Sequence, residues 1–165
     1  MGTRNLTKVI DRRGNVVVAQ YGQWDGYPAG QGVTALYHLH NASGILLNLD
    51  KCYFIDEKEA ENINSIVGAN NQPIFDLYPT LSRDTGADIL GYIIYATGKI
   101  PLSDQREFEN DGLFCEAVYT VDFQQKKFIA KWNNKEFSWD FLSLPTKEQF
   151  LEVWELDKAE ERVLV

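Results

Sequence analysis

The sequence predicts a single α+β domain with a mostly antiparallel sheet. Three observations predict it: an apolar hairpin near the N-terminus, several helical patterns in the middle, and a meander of three short strands near the C-terminus. Because strands and helices are grouped rather than alternating, the sheet forms from hairpins and the helices pack against it. We expect the domain to span residues 1–156, with three to four helices, and residues 157–165 to form a charged, frayed tail.

The hairpin is predicted from two runs that are rich in β-branched residues, residues 3–11 and 16–24. Gly14-Asn15 between these runs is a turn signal, because glycine tolerates positive φ. The loop has either two or four residues, which leaves two registers open. Both registers keep the two strands paired over most of their length.

Strand geometry groups the polar side chains at the end of the hairpin. Side chains alternate along a strand, so Tyr21, Gln23 and Asp25 share one face and Trp24 points to the other. Arg4 lies opposite Asp25 if the loop has two residues and opposite Gln23 if it has four. Arg4 therefore joins the face of these three residues in either register.

Helical patterns occupy the middle of the chain. Residues at helical spacing predict a buried stripe on a helix over residues 30–41, which Gly44 ends. The stripe consists of Val33, Leu36, Tyr37 and His40. A capping-box pattern, Asp56 with Glu59, predicts a second helix. Residues 84–97 are apolar nearly all round, which predicts a third helix that is buried on more than one side.

The last third of the chain predicts the meander and a terminal helix. The three strands are expected at residues 114–123, 127–132 and 135–142. Asn133-Asn134 is a turn signal between the second and third of them. A second capping box, Thr146 with Gln149, opens the terminal helix. Residues 102–112 form a charged loop, which we predict as a flap.

Composition limits the classes of function. The chain carries 24 acidic and 16 basic residues, a net charge of −8, which argues against binding to long nucleic acids. No apolar run reaches the roughly 18 residues that a membrane span needs. We therefore expect no membrane association and a cytoplasmic location, which is the host cytosol if a phage encodes the protein. A homo-oligomer stays open.

Cysteines and histidines give no sign of a metal or cofactor. Cys52 and Cys115 cannot build a disulfide framework, and each is expected to be a small buried side chain rather than a nucleophile. His38 and His40 are two apart, so on a helix they point about 200° from each other and cannot share one ion. We predict no metal site and no cofactor.

The hairpin end, from Tyr21 to Tyr27, is rich in side chains that bind ligands. Aromatic rings stack on a base or sugar, Gln and Asp give directional hydrogen bonds, and Arg gives a bidentate fork for phosphate. The predicted ligand-binding residues here are Arg4, Tyr21, Gln23, Trp24, Asp25 and Tyr27. The structural alternative is an Arg4–Asp25 ion pair beside a tight turn, with Trp24 in the core.

A second candidate lies at the start of the third predicted helix, in residues 81–86. A helix N-terminus offers free N–H groups and a partial positive charge, which suit an anion. Ser82 and Arg83 are therefore predicted to join the ligand site. The alternative is a plain N-cap made by Ser82 or Asp84.

A third group of residues lies in the first meander strand. Glu116 and Asp122 are expected to share one face, with Tyr119 on the other. A carboxylate on an inner face acts as a general base or holds a ligand hydroxyl. The alternative is that both carboxylates face solvent.

Three strings, TRNLT, QYGQWDGYPAGQG and LSRDTGADIL, resemble a family of small proteins that are frequent in phage genomes, with more distant relatives in fungi. The similarity runs from the N-terminus into the strand at residues 114–123. Some distant relatives begin Met-Cys-Thr-Arg, which is similar to the start of N-terminal-nucleophile hydrolases, where the cysteine attacks an amide. This chain has Gly2 at that position, so it lacks that nucleophile, and the resemblance carries over a pocket at most.

Residues and resemblance together predict a non-catalytic protein that binds a small, nucleotide-like ligand. The resemblance adds the expectation that the ligand is a nucleotide immune signal, which a phage protein sequesters. Two alternatives stay open. One is a hydrolase of a nucleotide or amide that activates water with Asp25, Glu116 or Asp122. The other is an inhibitor that binds a host protein through its acidic surface.

Overall fold

A computed structural model describes the backbone of residues 2–164 and the side chains of residues 2–155. The strands are β1 (Asn5–Ile10), β2 (Val16–Gly22), β3 (Cys52–Phe54), β4 (Ile100–Leu102), β5 (Ala117–Asp122), β6 (Lys127–Trp132) and β7 (Lys135–Asp140). The α-helices are α1 (Val33–His38), α2 (Ala42–Asn48), α3 (Glu57–Asn70), α4 (Ile74–Leu77), α5 (Ile89–Ile94) and α6 (Lys147–Leu164). The tail predicted for residues 157–165 lies outside the residues whose side chains are described.

The main sheet has five strands in the order β2-β1-β5-β6-β7. Neighbouring strands pair antiparallel except β1 and β5, which run parallel and so join the hairpin to the meander. The α+β class with a mostly antiparallel sheet is therefore confirmed. β3 and β4 form a separate parallel pair that the sequence did not predict. The helices outnumber the three to four predicted, because residues 28–51 break into short segments.

The hairpin has one of the two registers that the sequence allowed. Asn5 lies opposite Gly22, and this spacing, continued by one residue, sets Arg4 opposite Gln23. The pairing shifts near the turn, between Val9 and Ile10. At the turn, the Asp11 carboxylate accepts backbone N–H groups of two loop residues, which lowers the pKa of Asp11.

Helices cover one face of the sheet and form the core. Val9, Tyr119 and Phe128 on this face are fully buried and contact side chains from α1, α2, α5 and α6. In α6, the ring of Phe150 packs edge-on against Phe128 and Trp139, with ring centroids 6.0 and 5.3 Å away. Many of the aromatic residues in the sequence therefore pack in this core.

Residues 102–112, predicted as a flap, pack over the opposite face of the sheet. The ring of Phe108 lies edge-on to Tyr21 at 4.8 Å, and the Lys8 ammonium contacts the Glu109 carboxylate at 2.7 Å. Gln105 extends the edge of β2, because its backbone N–H donates to the Ala19 carbonyl at 3.1 Å. This segment therefore makes Tyr21 half-buried.

The predicted stripe on the first helix is wrong in part. Leu36 is buried, but Tyr37 is 69% exposed and His40 is also exposed. A π-helical turn at Pro28–Gly32 precedes α1, and its wider turn rotates the buried face toward Ala35, Leu36 and Leu39. Gly44 does not end this helix either. It lies inside α2, where its N–H donates to the capping Asn41 side chain at 3.0 Å.

The third predicted helix is shorter than expected. The α-helical part is only α5, and residues 86–88 before it form a 3₁₀ turn. Ile89, Leu90 and Ile93 are fully buried, whereas Tyr92 and Tyr95 lie on an exposed side. Among residues 2–164, no helix combines the length and the apolar character that a membrane span needs.

Turns and caps in the other elements follow the sequence closely. Asp56 caps α3 by accepting the Glu59 N–H at 2.8 Å, and Thr146 and Gln149 exchange both bonds of a capping box at the start of α6. Asn133 and Asn134 both have positive φ, which matches a tight turn between β6 and β7. These local signals are confirmed.

Phe150→Ala should lower the free energy of unfolding by about 3–5 kcal/mol, because it empties the space of a fully buried ring. Urea unfolding followed by circular dichroism measures the change. Leu142, which is 100% exposed, gives the control: Leu142→Ala should change stability by less than about 0.5 kcal/mol. A loss under about 1 kcal/mol at Phe150 would contradict the role of α6 in closing the core.

Candidate functional site

The two motifs that the sequence singled out lie against each other. The backbone N–H of Gln23 donates to the Arg83 carbonyl at 2.9 Å. The side chain of Gln20, which is 2% exposed, donates to the Ser82 carbonyl at 3.3 Å. Because of these bonds, the loop of residues 82–88 packs directly on the hairpin end.

Gln31 completes this junction. Its side-chain amide donates to the Trp24 carbonyl at 3.2 Å and accepts the N–H of Ala87 at 2.7 Å. Gly86 adopts φ +52°, and a β-carbon there would lie 2.6 Å from the Gln31 oxygen. Both the backbone conformation and the close approach therefore require glycine at position 86.

Asn5 and Tyr119 satisfy carbonyl groups at the end of the hairpin. The amide nitrogen of the fully buried Asn5 lies 3.1–3.2 Å from the carbonyl oxygens of Thr3, Gly22 and Trp24. The Tyr119 hydroxyl donates to the Gly26 carbonyl at 2.6 Å, and burial raises the pKa of Tyr119. Many polar side chains at the hairpin end are therefore bonded within the protein, because the irregular backbone needs hydrogen-bond partners.

Four of the predicted site residues remain exposed beside this junction: Trp24, Asp25, Tyr27 and Arg83. Trp24 is not in the core, contrary to the structural alternative. The Tyr27 hydroxyl donates to Asp25 at 3.1 Å, and this bond to a carboxylate raises the pKa of Tyr27. Asp25 has φ +56°, so its backbone is held in the left-handed region.

Arg4, Tyr21 and Gln23 lie on the outer face of the sheet. The Arg4 guanidinium stacks over the ring of Phe114 at 4.7 Å, and the Tyr21 hydroxyl hydrogen-bonds to the Gln23 side chain. The loop that carries Arg83 instead contacts Gln20, which belongs to the core face. These contacts do not bring Arg4 and Arg83 together as a phosphate clamp.

The predicted helix N-terminus at residues 81–86 is not formed. Ser82 is buried, and its hydroxyl accepts the N–H of Asp84 at 3.1 Å. The α-helix begins only at Ile89, after the 3₁₀ turn. Ser82 therefore stabilises the loop and caps no α-helix, because the residue that precedes α5 is Asp88.

The carboxylates of the first meander strand lie at opposite ends of β5. Glu116 accepts the backbone N–H of Arg4 at 2.8 Å, and Asp122 accepts the N–H groups of the two turn residues that follow. Six residues of strand separate them by roughly 20 Å. They share a strand but cannot act on one substrate as a pair.

A groove of about 680 Å³ opens beside α5, next to the loop of residues 82–88. Phe75, Tyr92 and Tyr95 line it with aromatic rings that are each at least partly exposed. Asp84 and Asp88 line it with carboxylates. The groove adjoins the second of the two motifs, the loop that contains Asp84 and Thr85.

Each of these two carboxylates is held by a ring nitrogen. The indole N–H of Trp24 donates to Asp84 at 2.7 Å. Nε2 of His38 lies 3.0 Å from Asp88. His38 is 12% exposed and Asp88 is 64% exposed, so a nearly buried ring orients a carboxylate that faces solvent.

The groove beside α5 was not predicted from the sequence, although Trp24 bonds to Asp84 on its wall. The missed residues are His38, Phe75, Asp88, Tyr92, Tyr95 and Lys99. The tyrosines are three apart in a helix predicted to be buried on more than one side, and their hydroxyl groups were the signal of an exposed side. His38 carried no signal, since its partner is 50 residues away.

Both cysteines lie in surroundings that keep the thiol protonated. Burial raises the pKa of Cys52 to about 12 and that of Cys115 to about 11. A thiol of this kind is a poor nucleophile at neutral pH. Within the part of the chain whose side chains are described, no three His, Cys, Asp or Glu residues are grouped to hold a metal ion.

Comparison with protein-family models, with curated proteins and with solved structures found no match. The functional inference therefore depends on the geometry. At Gly2 a β-carbon would overlap the Gln23 carbonyl oxygen and lie 2.7 Å from the Trp24 ring. The hairpin end packs against position 2 too closely for a nucleophilic side chain.

Asn5→Ala should lower the free energy of unfolding by about 1–3 kcal/mol, because it removes a fully buried amide that donates to the Gly22 carbonyl and its neighbours. Chemical unfolding of the variant measures the loss. Asn62, exposed on α3, gives the matched control, and Asn62→Ala should have little effect. Equal stability of the two variants would show that the Asn5 amide does not hold the hairpin end.

Thiol labelling should be slow in the folded protein. At pH 8 a pKa near 11 lowers the thiolate fraction about 100-fold relative to an ordinary thiol, and the Cys52 pKa lowers it further. The labelling rate with a disulfide reagent should rise about tenfold per pH unit up to roughly pH 11, and unfolding in guanidinium should abolish the protection. Equal labelling rates in folded and unfolded protein would contradict the raised thiol pKa values.

Proposed function

We propose that the protein binds a small, nucleotide-like ligand in the groove beside α5 and holds it without chemical change. The observation that carries this proposal is the groove itself, at about 680 Å³, with aromatic rings and oriented carboxylates on its walls. Pockets for small ligands typically measure about 300–1,000 Å³ and combine apolar surface with a few placed polar groups. The groove fits this description.

The aromatic residues supply the surface for a base. Tyr95 is 81% exposed, and Tyr92 and Phe75 expose about 40% each. Base–aromatic stacking contributes about 1–3 kcal/mol per base and tolerates different bases. Such rings at the wall of a groove favour a planar ligand over an extended peptide.

Charged residues offer hydrogen-bond acceptors and one ammonium group along the groove. Asp84 and Asp88 accept hydrogen bonds from sugar hydroxyl groups or from a base amino group. Lys99, on the loop after α5, is exposed and offers an ammonium to a phosphate. A ligand with hydroxyl donors, a flat ring and one anionic group matches these three features together.

The hairpin end supports the groove rather than forming its floor. Trp24 orients Asp84, and Gln20, Gln23 and Gln31 hold the loop on which Asp84 and Asp88 lie. In this proposal Trp24 still belongs to the ligand site, because it orients Asp84. Arg4 and Tyr21, which the sequence predicted as ligand contacts, do not contact the ligand.

The biological role that we propose is sequestration of a nucleotide signal by a phage protein. It rests on the resemblance of the QYGQWDGYPAGQG and LSRDTGADIL strings to phage-borne proteins and on the absence of a side chain at Gly2. A protein that only captures its ligand needs a fitted groove and no nucleophile. The groove and Gly2 both agree with capture.

Tyr95→Ala should weaken nucleotide binding about 5- to 150-fold, because it removes a stacking surface. The protein is first purified and heat-denatured, and any released ligand is identified by mass spectrometry. Calorimetry with that ligand and with a panel of nucleotides then compares the variants. Because Tyr95 is exposed, the substitution should leave the melting temperature nearly unchanged.

Tyr27→Ala is the matched control, since it removes an exposed tyrosine from the hairpin end instead of the groove. It should bind as the unmodified protein does. Loss of binding in Tyr27→Ala with full binding in Tyr95→Ala would move the site to the hairpin end. Chemically altered ligand would support the hydrolase alternative, and absence of binding to every nucleotide would refute the proposal.

A further inference from the structure

The groove beside α5 contains two carboxylates, each of which is oriented by a ring nitrogen. Asp84 is held by the Trp24 indole at 2.7 Å, and Asp88 by the His38 ring at 3.0 Å. In each case the named contact engages one carboxylate oxygen, Oδ1, and a carboxylate has a second oxygen that can accept a hydrogen bond. Two acceptors four residues apart are thus preorganised on one wall.

We propose that Asp84 and Asp88 bind the neighbouring hydroxyl groups of a ribose-type sugar, so that the groove selects ribonucleotides over deoxyribonucleotides. This inference rests on the proposed function and names the ligand class for the same groove. Carboxylates accept hydrogen bonds strongly, and an ionised acceptor about doubles the strength of the bond. A vicinal diol presents two donors, which matches two oriented acceptors.

The distribution of charge decides against a phosphate at this wall. Two carboxylates repel an anion, whereas Lys99 lies beyond the other end of α5. The six residues of α5 rise by about 9 Å, so the ammonium and the Asp88 carboxylate act on different parts of a ligand. The sugar therefore takes the wall of Asp84 and Asp88, and the phosphate takes Lys99.

The same distribution decides against a simple cation. Two carboxylates and three aromatic rings would suit an ammonium ligand. Lys99 in the same groove repels a polycation that fills it, and a ribonucleotide uses both ends. Spermidine is therefore the competing ligand to include in the test.

His38 and Trp24 are positioning residues in this account, because they act through the carboxylates. Gly91 packs against the His38 ring, and a β-carbon at position 91 would lie 2.7 Å from it. The ring is therefore confined between α5 and α1. Trp24 is 43% exposed and bonded to Asp84, so its fluorescence should respond when a ligand engages that carboxylate.

The test compares adenosine 5′-monophosphate, its 2′-deoxy counterpart and spermidine by calorimetry on the whole protein. The ribonucleotide should bind about tenfold more tightly than the deoxyribonucleotide, the loss expected for one hydrogen bond to a charged group. Asp88→Asn and Asp84→Asn should reduce that ratio, whereas Lys99→Ala should weaken both nucleotides equally. Asp140→Asn, an exposed carboxylate at the end of β7, should change neither affinity.

A fluorescence titration separates the role of Asp84 from general binding. The ribonucleotide should change tryptophan emission in the unmodified protein, and Trp24→Phe should remove that change while calorimetry still detects binding. Equal affinities for the two nucleotides, with binding intact, would overturn the sugar assignment and leave the proposed function standing. Binding of spermidine alone, or of none of the three ligands, would overturn the sugar assignment, and only the wider nucleotide panel would then decide the proposed function.

Discussion

The end of the β1–β2 hairpin is the constraint on which the rest of the molecule depends. Beyond Gly22 the backbone leaves the sheet, turns through a left-handed Asp25 and enters a π-helical turn. Carbonyl groups in such a path have no ladder partner, and burying them without a donor is unfavourable. Side chains of Asn5, Gln31 and Tyr119 donate to the carbonyl groups of Gly22, Trp24 and Gly26.

The hydrogen bonds at the hairpin end also position one wall of the groove. The amide of Gln31 reaches from the hairpin end to the N–H of Ala87, and Gln23 binds the carbonyl of Arg83. The loop of residues 82–88 is thereby attached to the sheet at several points. Asp84 and Asp88 project from this loop, so a rigid element carries the two carboxylates. A groove wall built in this way loses little conformational entropy when a ligand binds.

The sequence predicted the elements whose signals are local. Capping boxes at Asp56 and Thr146, the Asn133-Asn134 turn and the alternation in the meander each depend on a few neighbouring residues. The first helix failed because a π turn before Val33 rotates the face that a regular period predicts. Within the π turn the Gln31 N–H donates to the Asp25 carbonyl, and the spacing of apolar residues does not reveal this bond.

The two motifs that the sequence singled out lie together, but part of their polar character serves the backbone. The Ser82 hydroxyl, predicted as a ligand contact, accepts the backbone N–H of Asp84. A polar side chain in an irregular stretch either contacts a ligand or satisfies a backbone group. Which of the two it does depends on which carbonyl groups are buried. Local sequence does not specify that burial. Asp88 and His38 come together only through the packing of α1 on α5.

The negative charge of the protein bears on the proposed sequestration. A net charge of −8 slows the approach of an anionic ligand, because long-range repulsion acts on the association rate. Slower association raises the dissociation constant, on which sequestration at equilibrium depends together with the amount of protein present. Contacts inside a groove determine the dissociation rate, which accounts for most differences in affinity between related complexes. The proposed sequestration therefore requires contacts that lower the dissociation rate by more than the charge lowers the association rate.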